Sequence, residues 1–217
     1  MKKLVIIPEF NFTELLVEIV SFYRKHLEEA QIIITTQQLD KFHFLKEFTK
    51  NVHIVYVQPG LKYAYKRAYM LNKLNFGCEL FIINEHDIIP NTNALYACLH
   101  IMEDPPIDDV GSVSCNYKWN DNYCYPYSPN WFKDKPIIER NDVGRIVRVG
   151  AQGVPFSFSI WRSHLFENID DPIFPDTWKL DYHFGNHVYT EKGFWHLRLL
   201  DYHVEHYEKG VNSWKEK

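Results

Sequence analysis

The 217-residue chain has no C-x-x-C pair, no glycine-rich phosphate loop and no apolar run long enough to span a bilayer. Its four cysteines, Cys78, Cys98, Cys115 and Cys124, stand apart from one another. Neither a zinc ribbon nor a dithiol redox motif is therefore indicated, and reduced thiols are expected. Spanning a membrane takes roughly 20 consecutive apolar residues. The opening Met1-Lys2-Lys3-Leu4-Val5-Ile6-Ile7 begins like a signal peptide, but its apolar run is too short and stops at Pro8-Glu9. The expectation is a cytoplasmic protein without a transmembrane segment, at most in peripheral contact with a membrane. An excess of positive charge is also lacking. Net charge is −4, which disfavours a nucleic-acid partner. There is no internal repeat and no low-complexity segment, and the length suits a single domain over residues 1–217.

What the chain does have is apolar and aromatic: 46% hydrophobic residues, with 14 Tyr and 15 Phe. That composition serves a large core or planar binding surfaces, and does not separate them. Short apolar runs at residues 4–7, 31–36, 52–57 and 80–84 read as strands buried on both faces. Helical periodicity lies between and after them. A helix capped by Asn11 carries Phe12, Leu15, Leu16, Ile19, Phe22, Tyr23 and Leu27. Further helices are expected at 40–49, at 63–74 and after Asn91 or Thr92. This β-α alternation predicts a three-layer α/β/α fold with a mostly parallel sheet, residues 1–104 forming a nucleotide-binding half.

Residues 105–217 read differently. A strand is expected at 110–115, then an aromatic, weakly periodic flap at about 116–140 facing substrate. Residues 145–149 and 155–161 look like an antiparallel pair. Short helices follow at 163–169 and 181–190, then a strand at 194–201 and a tail containing His203 and His206. Trp119, Tyr125, Trp131, Trp161 and Trp178 are candidates for a sugar platform.

The chemistry centres on Asn84-Glu85-His86-Asp87, where a buried run ends in two carboxylates one residue apart. In open α/β sheets, ligands bind beyond the carboxyl ends of the strands. Hard oxygen ligands placed there suit a divalent cation and, through it, a phosphate. A solvated turn would use the same residue types.

Taken in order, Ile6-Ile7-Pro8-Glu9-Phe10-Asn11, Glu85-His86-Asp87-Ile88-Ile89-Pro90, Gly153 with Phe156-Ser157 and Arg162, Trp178-Lys179-Leu180-Asp181 and the late His206 resemble the large inverting glycosyltransferase family with the GT-A fold. The resemblance covers nearly the whole chain. It implies transfer of a sugar from a nucleoside-diphosphate donor of UDP or GDP type to a hydroxyl of a carbohydrate or glycan acceptor. It also implies a Mn²⁺ or Mg²⁺ site in which Asp87 ligates directly. Glu85 would ligate through water or contact the ribose, and His206, with His203 as competitor, would supply nitrogen. Pro8, Phe10 and Asn11 would form the nucleotide shelf. Lys66 and Arg67 would reach the donor phosphates. Asp181, with Asp176 as runner-up, would be the general base.

Three departures stand out, the first being Glu85 where the family's D-x-D element has its first Asp. The family's second strand usually ends in an Asp-rich turn, where this chain has Thr35-Thr36-Gln37-Gln38. The acidic pair before the last helix has become Leu180-Asp181. Two rival readings follow: a degenerate carbohydrate- or protein-binding domain of the same fold, and a nucleotidyltransferase. The missing glycine-rich first loop speaks against the second rival.

Overall fold

The computed structural model describes residues 1–9, 15–39, 50–119, 121–123, 129–149, 157–169, 174 and 180–207, with Tyr123, Trp131, Asp181 and Thr190 described in backbone alone. The elements in order are β1 (Lys3–Pro8), α1 (Leu15–His26), β2 (Gln31–Thr36), β3 (Val52–Tyr56), α2 (Leu61–Leu71), β4 (Leu80–Asn84), β5 (Ile88–Ile89), α3 (Thr92–Glu103), β6 (Val110–Trp119), β7 (Asn122–Tyr123), β8 (Ile137–Arg140), β9 (Gly144–Val149), β10 (Phe158–Arg162), α4 (Leu180–Asn186) and β11 (Trp195–His206).

The strands form one sheet in the order β3-β2-β1-β4-β10-β6-β11-β9-β8, with β5 on β11 and β7 on β6. Pairings among β1 to β4 are parallel, as is β6 with β11. β10 and β9 run against their neighbours. The four apolar runs of the first half make the sheet because their side chains alternate between two buried faces. Val5, Ile7, Ile32, Ile34, Leu80 and Ile82 point into one core with α1 and α3. Leu4, Ile6, Ile33, Phe81 and Ile83 point into the other, with α2 and α4. Burying each such side chain fully contributes about 1.5–3 kcal/mol. The expected three-layer architecture is therefore present.

α3 starts where sequence placed it: Asn91 accepts the amide of Ala94 at 3.1 Å as its N-cap. α2 stops at Leu71 and continues as a π-helical turn, Asn72–Phe76. α4 passes in the same way into His187–Glu191. The helix expected at 40–49 lies outside the described residues.

Three expectations for the second half are corrected. Of the pair expected at 145–149 and 155–161, residues 155 and 156 lie outside the described residues, and 158–161 do not pair with 145–149. β9 pairs with β8 and β11, whereas β10 lies between β4 and β6. The reason is burial: Phe158 and Ile160 enter one core and Trp161 the other, so β10 suits only the middle of the sheet.

The strand expected at 110–115 runs on to Trp119, and the flap contains β7 and β8 as well. Polar residues hide this in the sequence, because Ser112, Ser114 and Asn116 are buried with partners of their own. Asn116 Nδ2 donates to Leu200 O at 2.7 Å. The hydroxyls of Ser112 and Ser114 contact His196 Nδ1 and Nε2 at 2.6 and 3.1 Å. The His-containing tail, finally, is not separate: it is the second half of β11.

Burial pushes the His196 imidazole well below its usual range, and the neighbouring Arg198 adds to the effect. In the unfolded chain His196 takes up a proton near pH 6.5, whereas in the folded chain it resists. Its stabilising contribution is thus complete above about pH 6.5 and is lost as pH falls below that, by up to about 1.4 kcal/mol per pH unit. Urea unfolding at pH 7 and pH 5.5 should show this loss in the wild type and a smaller one in His196→Gln. Equal losses would remove His196 from the account.

Candidate metal and nucleotide site

β4 is buried along its whole length and ends in Asn84, a fully buried amide. Beyond it the chain turns through residues 85–88, where Ile88 N donates to Glu85 O at 3.1 Å. Asn84 Nδ2 donates to the carbonyls of Glu85 and Ile88 at 2.8 and 3.1 Å. Its Oδ1 accepts the hydroxyl of Tyr23 from α1 at 2.8 Å. The turn is also tied to its surroundings. His86 Nδ1 donates to Pro8 O at 3.2 Å, joining the ends of β1 and β4. Glu85 N donates to Ser157 O at 2.8 Å, and Tyr207 N to Asp87 O at 2.7 Å.

The two residues of β5 then pair with the end of β11, setting His206 opposite Ile88. This encounter depends on an irregularity in β11. Leu199 lies opposite Cys115 and His203 opposite Asn116, so three residues of β11 are extra at that point. Such bulges re-aim a strand, and the re-aimed half of β11 reaches the Asp87 turn. The His206 ring lies tilted against Tyr117, with centroids 5.6 Å apart. Tyr117 is itself held at Phe158, its hydroxyl donating to the carbonyl and accepting the amide, both at 2.7 Å.

Asp87 is 4% exposed, and its Oδ1 is buried without a hydrogen-bond partner among the described residues. His206 Nδ1 is in the same condition. Burial pushes the His206 pKa down while the Asp87 carboxylate pulls it up, and burial wins. The imidazole is therefore neutral at pH 7, the form that ligates a metal. Two buried atoms of ligand type, unpartnered among the described residues and close enough to interact electrostatically, suit a divalent cation.

No group of three or more His, Cys, Asp or Glu side chains able to hold a metal occurs among the described residues. A cation here would thus complete its shell from water and ligand oxygens, as Mg²⁺ and similar ions commonly do. Glu85, half-buried at the start of the turn, stands two residues before Asp87.

The remaining candidates divide. Pro8 ends β1 beside the turn. Arg67 lies on the exposed side of α2 and Lys66 is half-buried there. Phe10, Asn11 and Asp176 lie outside the described residues, as does the side chain of Asp181, whose backbone opens α4 behind Leu180. His203 alternates away from His206 along β11. Burial and Lys118 lower its pKa.

Among the aromatic candidates, Trp161 belongs to the core and not to a platform: it is 1% exposed and donates to Ser159 Oγ at 2.7 Å. Trp119 is partly exposed at the end of β6. Tyr125 and Trp178 lie outside the described residues, and Trp131 is described in backbone alone.

Glu9 was not singled out by sequence reasoning. It is 1% exposed at the end of β1, its amide donates to Thr35 O, and it accepts the Thr36 hydroxyl at 2.9 Å. A carboxylate thus stands beside the end of β2, where the resembled family has its Asp-rich turn. Its signal was an acidic residue directly behind a buried strand. Tyr23 and Asn84 were missed because a Tyr on an apolar helix face and an Asn at a strand end look unremarkable in sequence.

No protein-family model matches the chain, and no curated protein matches it in sequence. Solved structures do match in fold. A structure of GalNAc-T7 with UDP, GalNAc and Mn²⁺ superposes with a TM-score of 0.65 at 13% identity, over 95% of this chain and 44% of that one. A CMP:2-keto-3-deoxy-manno-octonic acid synthetase complexed with CTP gives 0.55 at 10% identity, over 99% of this chain and 97% of that one. A mycobacterial protein gives 0.58 at 10% identity, over 94% and 67%. The chain spans less than half the length of the GalNAc-T7 chain. The fold is accordingly the three-layer α/β/α type that glycosyl- and nucleotidyltransferases of nucleotide-activated sugars share.

A cation between Asp87 and His206 predicts distinct effects at the two late histidines. His206→Ala should weaken Mn²⁺ binding by about tenfold or more, and His203→Ala should leave it unchanged, as read by isothermal titration. Equal weakening in both would contradict this arrangement.

Proposed function

We propose that the protein is a metal-dependent glycosyltransferase, moving a sugar from a UDP- or GDP-type donor to a hydroxyl of a carbohydrate or glycan acceptor with inversion. The observation that carries this reading is the meeting of Asp87 and His206, each with a buried atom unpartnered among the described residues, at the carboxyl edge of the parallel part of the sheet. That edge is where open α/β folds bind ligands.

In this reading Asp87 and His206 hold Mn²⁺ or Mg²⁺, and Glu85 ligates through water or takes a ribose hydroxyl. The cation supplies Lewis-acid neutralisation of the diphosphate charge. Pro8, Phe10 and Asn11 line the nucleotide, and Arg67 is assigned to its phosphates. Asp181 accepts the proton of the acceptor hydroxyl as that oxygen attacks the anomeric carbon, whose bond to the diphosphate oxygen breaks and releases the nucleoside diphosphate. Inversion follows from a single displacement with one base. The GalNAc-T7 structure, which holds UDP, GalNAc and Mn²⁺ on the same fold, supports the donor class.

A second reading is nucleotidyl transfer. The synthetase complexed with CTP favours it, because that chain is matched over nearly its full length. The lack of a glycine-rich loop after β1 weighs against it.

A donor screen separates these readings, since slow hydrolysis of a nucleotide sugar needs no acceptor. Metal-dependent hydrolysis of one UDP- or GDP-sugar is expected, and Asp87→Ala should abolish it. Hydrolysis at the wild-type rate in EDTA would contradict the metal assignment. Pyrophosphate release from a nucleoside triphosphate and a sugar phosphate would favour the second reading. Asp181→Asn should keep donor hydrolysis within a few-fold while lowering transfer to an acceptor by about 10²-fold or more; a fully active variant would exclude Asp181 as base.

A further inference from the structure

We infer that Tyr23 and Asn84 are positioning residues for the metal site, setting the Asp87 turn through a hydrogen-bond relay that starts in α1. The inference rests on the metal reading above and adds residues that lie behind the site.

The geometry is fully specified. Tyr23 and Asn84 are both completely buried. Burial keeps the Tyr23 phenol protonated, with its pKa well above the ordinary value, so its hydroxyl donates to Asn84 Oδ1 at 2.8 Å. That bond fixes which end of the amide faces which way. Both protons of Nδ2 are then directed to the Glu85 and Ile88 carbonyls. These two carbonyls bracket the turn, and the Ile88 amide closes it on Glu85 O.

A buried side-chain amide can accept at its oxygen and donate twice from its nitrogen. Asn84 makes all three of these bonds, and no other side chain of its size offers the same set. If the amide rotated by half a turn, it would set oxygen against two carbonyls and nitrogen against the Tyr23 hydroxyl. The relay therefore has one arrangement. It matters at Asp87 because that residue has one buried oxygen with no hydrogen-bond partner among the described residues, so the turn sets its place. Groups behind a metal ligand that fix its orientation typically govern affinity by 10–100-fold.

The test reads Mn²⁺ affinity by titration of the whole chain with saturating UDP or GDP, alongside thermal melting. Tyr23→Phe removes the donor and should weaken Mn²⁺ binding by about tenfold or more, with a lower Tm. The double variant Tyr23→Phe/Asn84→Leu replaces both side chains of this bond with apolar groups, which leaves neither of them with an unpaired polar atom but takes the amide donor from the Glu85 and Ile88 carbonyls. It should bind Mn²⁺ about tenfold or more weakly, because the two carbonyls are no longer held by the amide.

Asn72→Ala is the comparison. It deletes a buried amide that bonds Cys78 at the opposite edge of the sheet, so it should lower Tm and leave Mn²⁺ binding unchanged. Wild-type Mn²⁺ affinity in Tyr23→Phe or in the double variant would overturn the positioning role while leaving the metal reading intact. If Tyr23→Phe does not fold, the double variant alone decides. A wild-type chain that takes up no Mn²⁺ with either nucleotide would overturn the metal reading and this inference together.

Discussion

A strand buried on both faces has to end somewhere, and the polar groups at its end need partners. β4 meets this constraint with the Asn84 amide, which closes the turn over residues 85–88 from behind. The rest of the candidate site depends on that closure. It sets Asp87 against the last residues of β11 and lets the two residues of β5 pair with Glu205 and His206. It also leaves buried atoms of Asp87 and His206 without hydrogen-bond partners among the described residues. Leaving such groups unmatched is costly. A fold keeps them where a ligand completes them.

The second constraint is the length of β11. It pairs with β6 along most of its course, and a regular ladder would carry it past the turn at a fixed register. The three-residue irregularity opposite Cys115 and Asn116 breaks that register, and Asn116 fills the gap by donating to Leu200 O. Beneath it lies a buried polar layer unlike the apolar first half. Arg198 is fully buried, donates to Cys115 O and faces the rings of Tyr117 and Phe132 at 5.7 and 5.4 Å. The second half of the sheet is thus held by specific polar contacts as well as by apolar packing.

That contrast explains how much the sequence conveyed. The runs 4–7, 31–36 and 80–84 were legible because β-branched side chains buried on both faces leave a continuous apolar signature. Glu85 and Asp87 were legible for the same reason, as an abrupt end to such a run. β6 was read too short because Ser112, Ser114 and Asn116 interrupt its pattern, although each is buried with a partner. The position of β10 could not be read locally, since its neighbours β4 and β6 are set by long-range pairing. The meeting of His206 with Asp87 came from family resemblance. The bulge that brings the two together has no sequence signature of its own. Glu9, bonded to Thr36, shows a carboxylate placed on β1 where the resembled family places acids after β2.

The central claim is that Asp87 and His206 form a two-ligand cation site completed by a nucleoside diphosphate. Such a site binds metal weakly by itself and tightly once diphosphate oxygens join the shell, and linkage requires the nucleotide to gain the same factor from the metal. The direct measurement is titration of UDP and GDP into the protein with Mn²⁺ and with EDTA. The account predicts that one of the two nucleotides binds at least about tenfold more tightly with Mn²⁺, and that the gain disappears in Asp87→Ala. Equal affinity for both nucleotides with and without metal, or a gain that survives Asp87→Ala, would contradict it.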